Sequence, residues 1–172
     1  HNSDRRQRQM CIRDSMGTSY LRDLEAHLEG SNVRIASVHG RYFAMDRDKR
    51  WERIARSYAA LTGAIVAKHP NAVAGVQAHY DQGVTDEFVE PFQIEGVDGL
   101  VRPGDVVLCF NFRTDRCREI TQALTQEAFE EHGMTPLDLH YVTMTNYDDS
   151  FKGVHVLYDK PNLVNTVGEV VS

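Results

Sequence analysis

Cysteine and basic charge are both scarce in this sequence, and each shortage excludes something. Three cysteines, Cys11, Cys109 and Cys117, make an odd number, and no CxxC occurs, which argues against a disulfide framework or a zinc site. Cys109 lies inside the apolar run VVLCFNF and is expected in the core. A reducing, cytoplasmic setting is the simplest reading. No apolar run approaches the roughly 18 residues of a membrane span, so no membrane partner is expected. Nineteen Lys and Arg stand against 25 Asp and Glu, a net charge of −6. A nucleic-acid binder needs a basic surface to meet phosphates, so that class is disfavoured and any anion site must be local. GxSxG, P-loop, GxGxxG and Cys–His signatures are absent too, so a reaction would need a nucleophile or a metal from elsewhere.

What is present fits one soluble core, since 172 residues favour a single domain. Residues 1–15, HNSDRRQRQMCIRDS, differ from the rest: Arg5, Arg6, Arg8 and Arg13 occur with almost nothing apolar. A signal peptide needs an apolar stretch after its basic start, so this segment reads as a disordered or non-native leader. Residues 1–14 hold four basic and two acidic residues, so without them 15 basic face 23 acidic residues.

From Ser19 the pattern is regular. Tyr20, Leu21, Leu24 and Leu28 recur at helical spacing, with Ser19 as the expected cap and Gly30 as the stop. Ile35–Val38 reads as a strand, and Trp51, Ile54, Ala55, Tyr58 and Leu61 as the apolar face of a helix ending near Gly63. After the break at His69-Pro70, residues 72–80 suit another helix, closed by Gly83. Residues 86–104, with Pro91, Gly96, Gly99 and Pro103, read as loop with short strands. DVVLCFNF, residues 105–112, is the strongest strand signal, a nearly continuous apolar run suited to a buried parallel strand. Ile120, Leu124, Ala128 and Phe129 then mark a helix ending near Gly133, and Leu139–Met144 and Val154–Tyr158 two more strands. Strand followed by helix, repeated, predicts an α/β fold: a layered sheet with mainly parallel central strands and helices on both faces.

Two of these strands run straight into arginines. Val38 leads to Arg41 and Arg47, and Phe112 to Arg113 and Arg116. If both strands run parallel in one sheet, their carboxyl ends share an edge and the four guanidiniums converge on a small anion, since Arg grips carboxylate and phosphate through a planar fork. The bland alternative is local ion pairing with Asp46, Asp48 and Asp115 on a solvated surface, which is worth little. Taken singly, each arginine favours that alternative; two such clusters after the two best strands of an acidic chain favour a site. His39 is a candidate acid or base, or equally a partly buried turn residue. His69, His79, His132 and His140 have no metal-ligand spacing, and Asp46 with Asp48 is a weak metal signal, so no metal is expected in this chain.

The segments IASVHGRYFAMDRDKRWERI (35–54), TDEFVEPF (85–92), DVVLCFNFRTDRCREI (105–120) and NLVNTVGEVV (162–171) resemble, in order and at suitable spacings, the substrate-binding domain of cofactor-independent phosphoglycerate mutases. The resemblance runs from about Tyr20 to the end, and its GRY-AMDRD-RW and NFR-DR motifs are long and unusual. It implies a domain inserted into a phosphatase-like domain that carries two manganese ions and a nucleophilic serine. Such an enzyme interconverts 3-phosphoglycerate and 2-phosphoglycerate through a phosphoserine intermediate, a step of glycolysis and gluconeogenesis.

The family's substrate-gripping arginines fall on Arg41 and Arg47 in GRYFAMDR and on Arg113 and Arg116 in NFRTDR. Its DGRD motif would fall on residues 11–14, where only Arg13 and Asp14 match. Thr114 and Cys117 replace residues that are usually Pro or Ala and a small residue. The family's metal ligands, serine and catalytic lysine have no counterpart, so the chain is expected to be an inactive fragment. Its expected parts are a leader (1–15), a substrate-binding domain (16–164) and a hinge (165–172) toward the phosphatase-like partner domain, and it is expected to be a monomer. The alternatives are a stand-alone, non-catalytic module binding a phosphorylated or carboxylated metabolite and, last, a metal-dependent hydrolase built on Asp46, Asp48 and the histidines.

Overall fold

A computed structural model describes residues 15–63 and 66–158. The expected leader up to residue 14 and the expected hinge at 165–172 lie outside the described residues. The first helix, α1, spans Gly17–Leu28. Its start is not capped locally by Ser19, which lies within the helix and donates its hydroxyl to the Met16 carbonyl (2.9 Å). The free amides of Met16 and Gly17 instead donate to the Asp86 carboxylate (3.2 Å each), a distant acid placed where the helix dipole favours negative charge. Tyr20 and Leu24, expected on the apolar face, are exposed; Leu21 packs inward.

Strand β1 is short, Ser37–Val38, and is followed by a single helical turn, α2, Arg41–Ala44. Helix α3, Trp51–Thr62, follows the expected pattern, burying Ile54 and Tyr58 and ending where Gly63 turns left-handed (φ 106°). Strand β2, Lys68–His69, was not signalled by the sequence, because two residues carry no period. Helix α4 spans Ala72–Tyr80, with Asn71 accepting from the Ala74 amide at its start (2.7 Å). Strand β3 is Phe92–Ile94, β4 Val106–Cys109, β5 His140–Thr145 and β6 Val154–Tyr158. Helix α5, Arg118–Thr125, stops well before Gly133; a 3₁₀ turn at Glu130–His132 takes up the remainder.

The strands form two three-stranded sheets, ordered β1-β3-β2 and β4-β5-β6. Three of the four pairings are parallel and only β1–β3 is antiparallel, so the mainly parallel α/β class holds. The single shared sheet edge does not, because β1 and β4 belong to different sheets. Each sheet has its own core. Ala72, Val76, Val89, Phe92 and Ile94 fill the first, and Ile54, Tyr58, Ile120, Leu124, Met134 and Tyr141 are prominent in the second.

Strand β4 departs from expectation in a second way. It pairs with β5 on one side only, and while Val107 and Cys109 pack inward, Val106 and Leu108 are 73% and 52% exposed. Among the described residues it is an edge strand with one open apolar face. No helix among them is long and apolar enough to cross a membrane.

Candidate anion-binding site

The first half of the site is built on a close approach of two backbones. The Gly40 amide donates to the Val89 carbonyl (2.9 Å), and a Cβ at residue 40 would lie 2.5 Å from that oxygen, so only glycine fits. The chain then turns into α2, which presents Arg41 and Tyr42, and runs into a loop wrapped around Asp46. That carboxylate is only 5% exposed and accepts the Asp48 amide (2.9 Å), the Arg50 amide (3.0 Å), Arg50 Nη1 (3.1 Å) and Arg53 Nη1 (3.4 Å). Burial pushes its pKa up, but the two amides and the Arg50 guanidinium outweigh that and hold it below the usual carboxylate range.

The second half runs from the end of β4 to the start of α5. Asn111 donates from Nδ2 to Cys117 Sγ (2.9 Å), and its side-chain oxygen accepts the Arg113 amide (3.2 Å). Tyr147 donates its hydroxyl to the Asn111 carbonyl, which fixes the segment from the β5 side. Cys117 is buried and Cys109 half-buried in the same core, in keeping with a packing role.

Side chains join the two halves directly, without a common sheet. Arg116 Nη1 donates to the Met45 carbonyl (3.1 Å), Arg47 lies 3.5 Å from Asp115, and Arg113 lies 3.2 Å from the same carboxylate. Partial desolvation pushes the Asp115 carboxyl up, but Arg113 and Arg47 carry it below its ordinary value. Arg41 pairs with Glu87 at 2.6 Å, both partly exposed.

A cleft of about 250 Å³ lies between the two halves, lined by Arg41, Arg47 and Arg116 among others. Arg113, its side chain 71% exposed, does not line it. Arg50 and Arg53 do, and sequence reasoning passed over them although RDKRWER displays both; Arg53 stacks over the Tyr42 ring at 3.8 Å. A larger cavity of about 770 Å³, beside α1 and the start of α4, contains none of the arginines singled out from the sequence, and sets Arg22 and Arg34 against Glu25, Glu29 and Glu95. Chemically, the smaller cleft is a rim of permanently charged forks resting on carboxylates that a stronger anion can displace. Exposed pairs such as Arg41–Glu87 are worth only about 0–1 kcal/mol, so opening one costs little beside a bidentate ligand contact.

His39 does not line the cleft. Its Nε2 contacts Ser37 Oγ (2.8 Å), its Nδ1 is buried without a partner, and burial lowers its pKa to about 4. It is neutral at pH 7 and gives the cleft no charge. Because its folded pKa lies below the unfolded 6.5, protons favour the unfolded chain: its contribution is complete above pH 6.5 and is lost as pH falls toward 4. The wild type is expected to lose about 3 kcal/mol more stability than His39→Asn between pH 7 and pH 4, read as a difference between their denaturation curves.

Arg13 and Asp14 lie outside the described residues. Among the described residues no group of three or more His, Cys, Asp or Glu side chains is gathered to hold a metal ion. Asp46 and Asp48, the weak metal signal in the sequence, instead share Arg50.

Comparison with known proteins places this geometry in context. The family described as BPG-independent PGAM N-terminus (iPGM_N) matches residues 12–149. A 2,3-bisphosphoglycerate-independent phosphoglycerate mutase of Bacteroides fragilis is 50% identical over 157 residues, 91% of this chain and 31% of that protein. One from Flavobacterium johnsoniae is 47% identical over 161 residues, 90% of this chain and 32% of that protein. A crystal structure of Leishmania mexicana phosphoglycerate mutase, determined at low cobalt concentration, matches with a TM-score of 0.68 at 31% identity, covering 79% of this chain and 27% of that one. The chain thus spans about 31% of the length of the first of these relatives.

Proposed function

We propose, since the chain belongs to the BPG-independent PGAM N-terminus family, that it is the substrate-holding part of a phosphoglycerate mutase interconverting 3-phosphoglycerate and 2-phosphoglycerate. The observation that carries this reading is the cleft where Arg41, Arg47 and Arg116, from two separate segments of an acidic chain, face one space. Phosphoglycerate carries a carboxylate and a phosphate a few bonds apart, and two sets of guanidinium forks suit two anionic ends. Arg41 and Arg47 sit on the α2 side and Arg116 on the α5 side, while Arg113 stands outside the cleft and shares the Asp115 carboxylate with Arg47. Glu87 pairs with Arg41, and Asp115 with both Arg47 and Arg113, until substrate replaces them.

The domain is assigned to residues 16–164, with a hinge over 165–172 leading toward a phosphatase-like domain. Manganese there would act as a Lewis acid and activate that domain's serine; the residues described in this chain would supply binding and orientation. The 172-residue chain, supplied with manganese and 3-phosphoglycerate, is therefore expected to form no 2-phosphoglycerate, as followed by a coupled enolase assay. Turnover in proportion to the added chain would overturn the assignment of the chemistry to another domain.

A further inference from the structure

We propose that Glu119 is a positioning residue: its buried carboxyl reaches from α5 and holds Lys49 in the left-handed backbone conformation that sets the Arg47 side of the cleft. This deepens the functional reading above and rests on it for the identity of the ligand. Glu119 is only 4% exposed, and its Oε1 accepts the Lys49 amide at 2.8 Å. Lys49 has φ 59° and is the one non-glycine residue with positive φ among the described residues. A side chain bearing a Cβ adopts that region at a cost, so something must hold it there.

The neighbouring contacts identify the holder. Asp46 takes the amides of Asp48 and Arg50, while the amide between them goes to Glu119 instead. Three successive amides are thereby fixed by two buried carboxylates, one local and one from the segment that carries Arg116. Arg47 immediately precedes this run, and Glu119 registers the run against the opposite half of the cleft, as Arg116 does through the Met45 carbonyl. Glu119 Oε2 is buried with no hydrogen-bond partner. Burial raises its pKa, with Asp46 and Asp48 adding to that effect and the Lys49 amide opposing it. A half-satisfied buried carboxyl is a poor way to stabilise a core, and its presence at this joint fits a task of placement.

The test uses the 172-residue chain. Exchange of the Lys49 amide, followed by NMR, reads the clamp without ligand. Glu119→Ala is expected to speed it by about tenfold or more relative to Asp48 and Arg50, whereas Glu119→Gln, which keeps an acceptor, leaves it near wild type. Affinity for 3-phosphoglycerate is expected to fall about tenfold in Glu119→Ala. Adding Lys49→Gly, which accepts positive φ freely, should recover most of that affinity. Unchanged Lys49 exchange in Glu119→Ala, or lost affinity that the glycine does not recover, would overturn the proposal. If the wild type binds no phosphoglycerate, it is the functional reading that falls, and the exchange result decides the clamp independently.

Discussion

Arg41→Ala is expected to weaken 3-phosphoglycerate binding by about 10- to 100-fold while moving the melting temperature by less than about 2 °C. The two halves of that expectation come from different observations. A hydrogen bond between charged groups contributes about 1.5–3 kcal/mol, and each 1.4 kcal/mol is tenfold in affinity. Stability should barely respond, because the guanidinium is 46% exposed and among the described residues pairs only with Glu87, itself partly exposed. Arg116→Ala should lose comparable affinity but more stability, since it also removes the donor to the Met45 carbonyl. Arg113→Ala should lose least, because that side chain stands outside the cleft. Titration calorimetry with thermal melts on the three variants separates these patterns. A uniform loss of stability with affinity unchanged would mean the arginines serve the fold.

Asp46→Ala should act through the fold. Its removal leaves two backbone amides without acceptors and two guanidiniums, Arg50 and Arg53, facing one another across the vacated space. Orphaned donors cost about 1–3 kcal/mol each where water cannot reach them, and partial exposure of both arginines softens this, so a loss of about 2–4 kcal/mol is expected. In a chain of this size that corresponds to a melting temperature lower by roughly 5–15 °C. The pH dependence follows with a definite sign. The folded pKa lies below the ordinary 3.8 of the unfolded chain, so Asp46 stabilises the fold above that pH and its contribution is lost as pH falls below it. Asp46→Asn should therefore flatten the acid limb of the stability curve below pH 3.8, a lower window than that of His39→Asn, which acts in the same direction between pH 6.5 and 4. A melting temperature for Asp46→Ala within about 2 °C of wild type would show that the loop holds itself.

Helices α3 and α4 were legible in the sequence because their patterns coincide with local signals: Ile54 and Tyr58 at helical spacing before Gly63, and residues 72–80 between a proline and a glycine. Ser19 misled because the start of α1 is satisfied by Asp86, about seventy residues away, and no local pattern reports so distant an acceptor. The apolar run at 105–112 holds a strand over only Val106–Cys109, and period and composition cannot reveal how many neighbours a strand has. Arg41, Arg47 and Arg116 were found from charge at strand ends, although their meeting depends on side-chain bridges between two sheets. Arg50 and Arg53 were passed over because a charged run looks the same whether it faces solvent or a buried carboxylate such as Asp46. Glu119 is the hardest case, since a glutamate in the first turn of a helix is an ordinary sight and only the left-handed Lys49 gives it a task.

The central claim is that this chain holds a phosphoglycerate by both of its charged ends, and one titration tests it. Wild-type chain is titrated calorimetrically with 3-phosphoglycerate, and in parallel with glycerol 3-phosphate, which keeps the phosphate and lacks the carboxylate. The account predicts one site for 3-phosphoglycerate and at least about tenfold weaker binding of the other, the equivalent of one lost guanidinium–carboxylate contact. Equal affinities for the two, or no binding of 3-phosphoglycerate, would contradict it.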